Sequence, residues 1–204
     1  MKKPFLLFLL VLVSASVSCT FDVIPDYGKK SYYIITNGAD DTFTCHGKDL
    51  AVFISETAAN KFINSRRIIF TESPLERSYY QLAYWVEPPP KTFSKLLLSR
   101  LETCGLFRNV SRPLSLASAD LELNTEIVEF YHDISKRPGE VLVEVRAELI
   151  DLKKRSVVAS RKFSVSAAVK KYSAEGAVIS FSHGVSQVLT QIIQWLDSVV
   201  DGKG

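Results

Sequence analysis

Val141, Val143, Val145, Ala147 and Leu149 alternate with Leu142, Glu144, Arg146, Glu148 and Ile150. Successive side chains of a strand point to opposite faces, so this run turns one apolar face to a core and leaves the other mostly wet. Its neighbours are legible too. Leu121 to Tyr131 precedes it across a loop containing Pro138-Gly139, and Val157 to Val169 follows across Lys153-Lys154-Arg155. Connections this short predict an antiparallel meander. From about Ala174 to Val200, Val178, Phe181, Val185, Val188, Ile192, Trp195 and Val199 recur at three- and four-residue steps, which predicts a long amphipathic helix. Its polar face is rich in serine and glutamine and not in lysine, so the stripe reads as cover for the sheet and not as a membrane-surface helix.

The first half of the chain supplies more strands. Ser31-Tyr32-Tyr33-Ile34-Ile35-Thr36 is aromatic and β-branched and stops at Asn37-Gly38. Leu50 to Ile54 is apolar on both faces, as an interior strand would be. Arg67 to Thr71 and Tyr79 to Trp85 flank Ser73-Pro74 and predict a pair of short strands. Pro88-Pro89-Pro90 suits a helix entry, where the first N–H groups have no intrahelical partner. Phe93, Leu96, Leu97 and Leu101 then follow at helical spacing, Gly105 stops the helix, and Val110 to Pro113 reads as a short strand or loop. Strands with a helix in the middle and another at the end predict a single α/β domain with a mixed, largely antiparallel sheet, over residues 31–204.

Before that domain stands an export signal over residues 1–18. Lys2 and Lys3 form its positive start, Pro4 to Val13 its apolar run, and Ser14 to Ser18 its small-residue cut site. The apolar run is too short to span, because a membrane helix needs roughly 20 apolar residues. Cys19 stands at the cut, where a bacterial lipoprotein carries a diacylglyceryl thioether and an N-acyl chain. Ser16-Val17-Ser18-Cys19 has the small residue before the cysteine, yet Ser16 occupies the place where leucine is usual. Ser16-x-Ser18 also suits ordinary signal peptidase at the same bond. Two readings therefore stand: a lipid-anchored protein, or a soluble periplasmic one with Cys19 free or in a disulfide. More than one acyl chain matters because a single chain anchors only marginally. Thr20, in place of an aspartate, favours the inner leaflet of the outer membrane by resemblance to enterobacterial sorting. Residues 19–30, with Pro25, Gly28 and two lysines, read as the lipidated end and a tether.

Losing Lys2 and Lys3 lowers the formal charge from +3 to +1. Lys29-Lys30, Arg66-Arg67, Lys153-Lys154-Arg155 and Lys170-Lys171 are short runs of a kind found at solvated turns and strand ends, which argues against nucleic-acid binding. With Cys19 acylated, Cys45 and Cys104 remain. They are a disulfide in an oxidising compartment or two buried thiols, and sequence leaves both open. Cys45, His46 and Cys104 lack the repeated ligand spacing of a metal site.

The parts of an enzyme are missing. The chain has no Gly-x-Ser-x-Gly, no phosphate-cradling glycine loop and no His-Glu-x-x-His. His46, His132 and His183 fall in three contexts. His132-Asp133, at a strand end, reads as a solvated turn before it reads as an acid/base pair. His183 has the spacing of either a packing residue or a functional one. Glu126 and Glu129, three apart, point to opposite faces of a regular strand, which argues against paired carboxylates.

The lipoprotein signal, Ser31-Tyr32-Tyr33-Ile34, Tyr84-Trp85-Val86-Glu87-Pro88-Pro89 and Ala119-Asp120-Leu121-Glu122-Leu123 follow one another in a telling order. That order resembles the ABC-type transport auxiliary lipoproteins, the PqiC/YmbA-like family. It continues through Val145-Arg146-Ala147-Glu148-Leu149-Ile150-Asp151, Ala159-Ser160-Arg161-Lys162-Phe163 and Trp195-Leu196, so it covers nearly the whole mature chain. The serine-bearing lipobox and Cys45-His46 depart from it. The resemblance implies a three-layer α/β/α domain like the anticodon-binding-like fold at the N-terminus of TolB. It implies no inherited RNA activity, and the residues themselves point to no enzyme activity, no metal and no cofactor beyond the lipid expected on Cys19. The implied setting is intermembrane phospholipid transport, with an MCE-domain ring protein and an ABC permease as partners; which lipid is carried, in which direction, and whether the chain forms a homo-oligomer are left open by the sequence. A structural or assembly-type envelope lipoprotein without lipid cargo is the alternative. Tyr79, Tyr80, Tyr84, Trp85 and Pro88 form the densest aromatic patch. Tyr79, Tyr80 and Trp85 are its candidates for partner or lipid contact, against packing of Tyr84 and Trp85 beneath the proline-led helix.

Overall fold

The computed structural model describes residues 28–37, 45–113 and 118–201. The export signal, Cys19 and most of the tether lie outside the described residues. In chain order the elements are β1 (Ser31–Tyr33), β2 (Lys48–Ile54), β3 (Ala58–Ala59), β4 (Arg67–Thr71), β5 (Ser78–Trp85), α1 (Pro89–Cys104), β6 (Phe107–Ser111), β7 (Leu121–Asp133), β8 (Glu140–Asp151), β9 (Ser156–Ala168) and α2 (Ala174–Asp201).

The alternating run is β8, the centre of the meander. Its left neighbour β7 and right neighbour β9 are both antiparallel to it along their lengths. The far edge of β7 is shared by short parallel partners: β2 at Leu121–Leu123, β3 at Glu126–Ile127 and β4 at His132–Asp133. Beyond β2 lies β6, and beyond β4 lie β5 and then β1, so one nine-stranded open sheet forks on that side. The long ladders are antiparallel and most of the short ones parallel. β1 is shorter than its aromatic run suggests, because past Tyr33 the chain leaves the ladder and the Thr36 N–H turns to Ser182 Oγ at 3.2 Å.

Both helices lie on one face. Val141, Val143, Val145, Ala147 and Leu149 are all fully buried, and Gly184 of α2 sits directly over Val143 and Val165. Helix α1 reaches the same core: Ser94 Oγ accepts from the Thr57 N–H at 2.8 Å, and Thr57 in turn bonds Thr125 of β7. The opposite face of the meander is a charged lattice, with Arg146 on Glu126 (3.7 Å) and Lys162 on Glu144 (3.2 Å). Ionised side chains hold water there, so the described residues make two layers where the resemblance implied a third.

The buried Arg100 ties the two helices. Its guanidinium donates to Ser186 O (3.0 Å), Ser186 Oγ (2.5 Å), Thr190 Oγ1 (2.8 Å) and Asn37 Oδ1 (2.5 Å). Helix α1 opens with Pro89 and Pro90 in its first turn and closes at Gly105, whose φ of 71° is the left-handed conformation that favours glycine.

Candidate functional site

The tyrosine-rich strand β5 sends its aromatic side chains three ways. Arg67 lies opposite Tyr84 and Ile69 opposite Tyr79, so two steps along β4 match five along β5. Such a bulge re-aims side chains that a regular strand would simply alternate. Trp85 goes inward. It is 1% exposed and packs edge-on against Phe130 of β7 (6.1 Å) and Phe181 of α2 (5.5 Å). A ring sealed in the core cannot touch a partner or a lipid, which removes Trp85 from the contact candidates. Tyr79 goes outward and stacks on Phe62 (4.4 Å) under the Arg67 guanidinium (4.7 Å). Tyr84 is also partly exposed, stacked on Tyr32 at 5.6 Å.

Tyr80 takes the third direction, toward His132. The imidazole is fully buried and uses both nitrogens: Nε2 donates to the Pro138 carbonyl (2.9 Å), and Nδ1 accepts from the Tyr80 hydroxyl (2.9 Å). A carbonyl can only accept, which fixes the proton on Nε2. Burial holds His132 below its ordinary value and pushes the Tyr80 phenol up to about 12, so both stay neutral at neutral pH. Tyr172 lies beside the ring (6.5 Å), capped by the Arg137 guanidinium at 4.3 Å. His132 is therefore a core clamp on the β7–β8 turn and not the solvated strand end its neighbours in sequence suggested. Gly139 completes that turn at φ 91°, and any side chain there would strike Asp133 and the His132 ring.

Cys45 and Cys104 meet across the start of β2 and the end of α1. Their Cα atoms lie 5.5 Å apart, within disulfide reach, and the sulfurs are paired in this structure. Beside them Asp197 of α2 is buried, with His46 Nδ1 3.4 Å from Oδ2. Among the described residues no cluster of histidine, cysteine and acidic side chains is placed to hold a metal ion.

Glu126 and Glu129 correct a second expectation. A bulge between Ile127 and Glu129 shifts the alternation of β7, so both carboxylates reach the outer side. Each faces an arginine, Arg146 for Glu126 and Arg77 for Glu129 (3.5 Å), and an ion-paired carboxylate is a poor proton shuttle. His183 is exposed on α2, bonded to Gln187 at 3.0 Å, and lines a cleft of about 610 Å³ with the exposed Ile179, Ala168 of β9 and Lys171. The sequence reading missed the part played by Arg66 and Arg67, which stand over Tyr32 (5.5 Å) and Tyr84 (5.7 Å). The signal was available: a basic pair one short turn from a tyrosine-rich strand. Arginine stacks on aromatic faces, and here it does so beside exposed tyrosine.

Asp120 shows what the sequence landmarks do. Its carboxylate accepts from the Ala51 N–H (3.0 Å) and pairs with Lys153 (2.9 Å), and these contacts hold it below the usual carboxylate range. It thereby joins β2, the entry of β7 and the β8–β9 turn. No helix among the described residues is long and apolar enough to cross a membrane.

The fold has solved relatives. Protein XCC0632 from Xanthomonas campestris, of the DUF330 family, superposes with a TM-score of 0.78 at 21% identity, covering 85% of this chain and 98% of its own. An uncharacterized protein gives a TM-score of 0.67 at 15% identity, over 83% of this chain and 99% of its own. The hypothetical protein CT253 from Chlamydia trachomatis gives 0.51 at 11% identity, over 75% and 98%. At these identities the likeness speaks for the fold. Curated proteins give no match. Residues 35–193 match the family described as the ABC-type transport auxiliary lipoprotein component, from just past β1 through most of α2. The chain belongs to the ABC-type transport auxiliary lipoprotein family.

Proposed function

We propose that this protein is a lipid-anchored auxiliary component of an ABC transporter, held on the inner leaflet of the outer membrane and facing the periplasm. There it serves an MCE-type system that moves phospholipid between membranes. The observation that carries the reading is the family match over residues 35–193, which names ABC-type transport. Cys19, standing at the cut of an export signal, supports the anchor. The division into signal (1–18), tether (19–30) and one domain (31–204) belongs to the same proposal. The surfaces available suit docking: a cleft beside Ile179, the edge of β9, which pairs only with β8 among the described residues, and an arginine-tyrosine stripe on β4, β5 and β1.

Affinity purification of the membrane-extracted protein tests the partners. Co-purification of an MCE-domain ring and an ABC permease, with phospholipid bound after gentle extraction, is the expected result. A protein that brings down neither partner and carries no lipid is a structural or assembly-type envelope lipoprotein instead. Palmitate labelling tests the anchor: wild type takes label and Cys19→Ala does not. An unlabelled wild type of mature size overturns the anchor and leaves a soluble periplasmic protein.

A further inference from the structure

We propose that the outer face of the β1–β5 pair rests on the phospholipid headgroups of the membrane to which the chain is tethered. The inference rests on the anchor at Cys19 and goes beyond it by naming the surface turned to the bilayer.

β1 and β5 run parallel with Tyr32 beside Tyr84 and Tyr33 beside Trp85. Alternation then sorts the side chains. Ile35, Ala83 and Trp85 are buried in the core, while Tyr32, Ile34, Leu82 and Val86 are 55%, 62%, 42% and 42% exposed. Those four, with Tyr84, form one continuous outward surface of aromatic and aliphatic groups. Three cations stand over it: Lys30 at 6.0 Å from the Tyr84 ring, Arg66 at 5.5 Å from Tyr32, and Arg67 at 5.7 Å from Tyr84. None of the three makes an ion pair among the described residues. Glu87, the acid that follows Val86, is engaged by Lys91 (3.3 Å) and Lys95 (2.6 Å).

Two observations select a bilayer as the occupant. The first is where the tether arrives. The chain coming from Cys19 meets the domain at Gly28, which lies against Leu82, and continues through Lys30 into β1. Residues 20–30 span at most about 40 Å when fully extended, so this face cannot travel far from the anchoring membrane. The second is chemistry. Arg66 Nε donates to the Trp85 carbonyl (3.1 Å), and its charge, like those of Arg67 and Lys30, has no carboxylate partner among the described residues. Tyrosine and aliphatic side chains beside such cations suit the headgroup boundary, where rings sit at the interface and cations meet anionic phosphate. By contrast, the outer face of the meander carries charges that are already cross-paired, so it presents no comparable positive field.

The test uses the mature Cys19→Ser chain, so that binding reports the face without the anchor. It is sedimented with vesicles of phosphatidylethanolamine and phosphatidylglycerol, and separately with phosphatidylcholine. The expected result is binding to the anionic vesicles that weakens as salt is raised. Arg66→Ser with Arg67→Ser lowers the bound-to-free ratio roughly tenfold or more. Tyr32→Ser with Leu82→Ser lowers it on both vesicle types, and Arg146→Ser with Lys162→Ser leaves it unchanged. Unfolding midpoints check that each variant is folded, and the salt dependence of the unaltered face stands as a readout if one is not. No binding of the anchor-free chain, or equal binding by all three double variants, overturns the proposal. So does a protein partner that covers Tyr32 and Arg66 and displaces the vesicles. If wild type takes no palmitate while vesicle binding persists, the anchor fails and the lipid-facing surface stands.

Discussion

Tyr80 donates its phenolic proton to Nδ1 of His132, across the gap between β5 and the end of β7, at 2.9 Å. The other nitrogen of the same ring donates to the Pro138 carbonyl. One buried imidazole thus fastens the forked side of the sheet to the turn that opens β8. Charging it would turn Nδ1 into a donor facing a donor.

That arrangement makes stability depend on acid. Burial lowers the His132 pKa in the fold below its ordinary 6.5, so the contribution is complete above that value and is lost as pH falls through the lower, folded one. Urea unfolding from neutral pH down to about pH 5 should show a falling midpoint in wild type and a shallower fall in His132→Gln. At neutral pH the variant should be less stable by about 1–3 kcal/mol. Parallel slopes in the two proteins would assign the acid loss to other groups.

Cys45 and Cys104 close a loop with a sequence separation of 59. In a chain-entropy account, breaking such a cross-link costs about 2–4 kcal/mol. The expected outcome is a lower urea midpoint for Cys45→Ser with Cys104→Ser, matched by wild type in reductant. Maleimide titration of unreduced, unfolded Cys19→Ser protein should find no free thiol. Two reactive thiols would mean that these cysteines act only as small buried hydrophobes.

Trp85 and Tyr79 lie on one strand and should behave as opposites. Trp85→Ala empties a site between Phe130 and Phe181 and should cost about 3–5 kcal/mol in urea unfolding, with loss of near-ultraviolet signal. Tyr79→Ala removes a half-buried stack on Phe62 at the margin of the core and should cost about 0.5–1.5 kcal/mol beyond its lost burial. Comparable losses would mean that Tyr79 is as much a core residue as Trp85.

Arg100 carries the contact between α1 and α2 through a planar fork that a lysine cannot reproduce. Arg100→Met should lower stability by about 1.5–3 kcal/mol or more, and Arg100→Lys should recover little of it. Full recovery by lysine would show that charge alone, without the fork, holds the helices.

Much of the fold was legible because it is periodic. The β7–β9 meander, the interior β2 strand, the β4–β5 pair and both helices follow from alternation, three- and four-residue steps, Pro88 to Pro90 and Gly105. β3, two residues long, has no period to read. The landmarks that carry the family likeness turn out to be packing residues: Trp85 between Phe130 and Phe181, Trp195 on Phe163 at 5.7 Å, and Asp120 joining three segments. These mark the fold, which is why they pointed to the family, while Tyr32, Ile34 and Val86 of the same landmark runs stay exposed.

By itself the sequence determined the elements, because hydrophobic period and turn chemistry act over a few residues. It also carries the local pattern, a lysine pair, an apolar run and small residues before Cys19, on which the proposed export signal and anchor rest. Tertiary structure decided everything that depends on parity and register. A bulge in β5 sent Tyr79, Tyr80 and Trp85 to three environments, and another in β7 put Glu126 and Glu129 on one side. A single inserted residue reverses every later side chain of a strand, and its placement depends on what the neighbouring strand presents. For the same reason only the folded chain brings His132 to Tyr80, Cys45 to Cys104, and Arg66 to Tyr32.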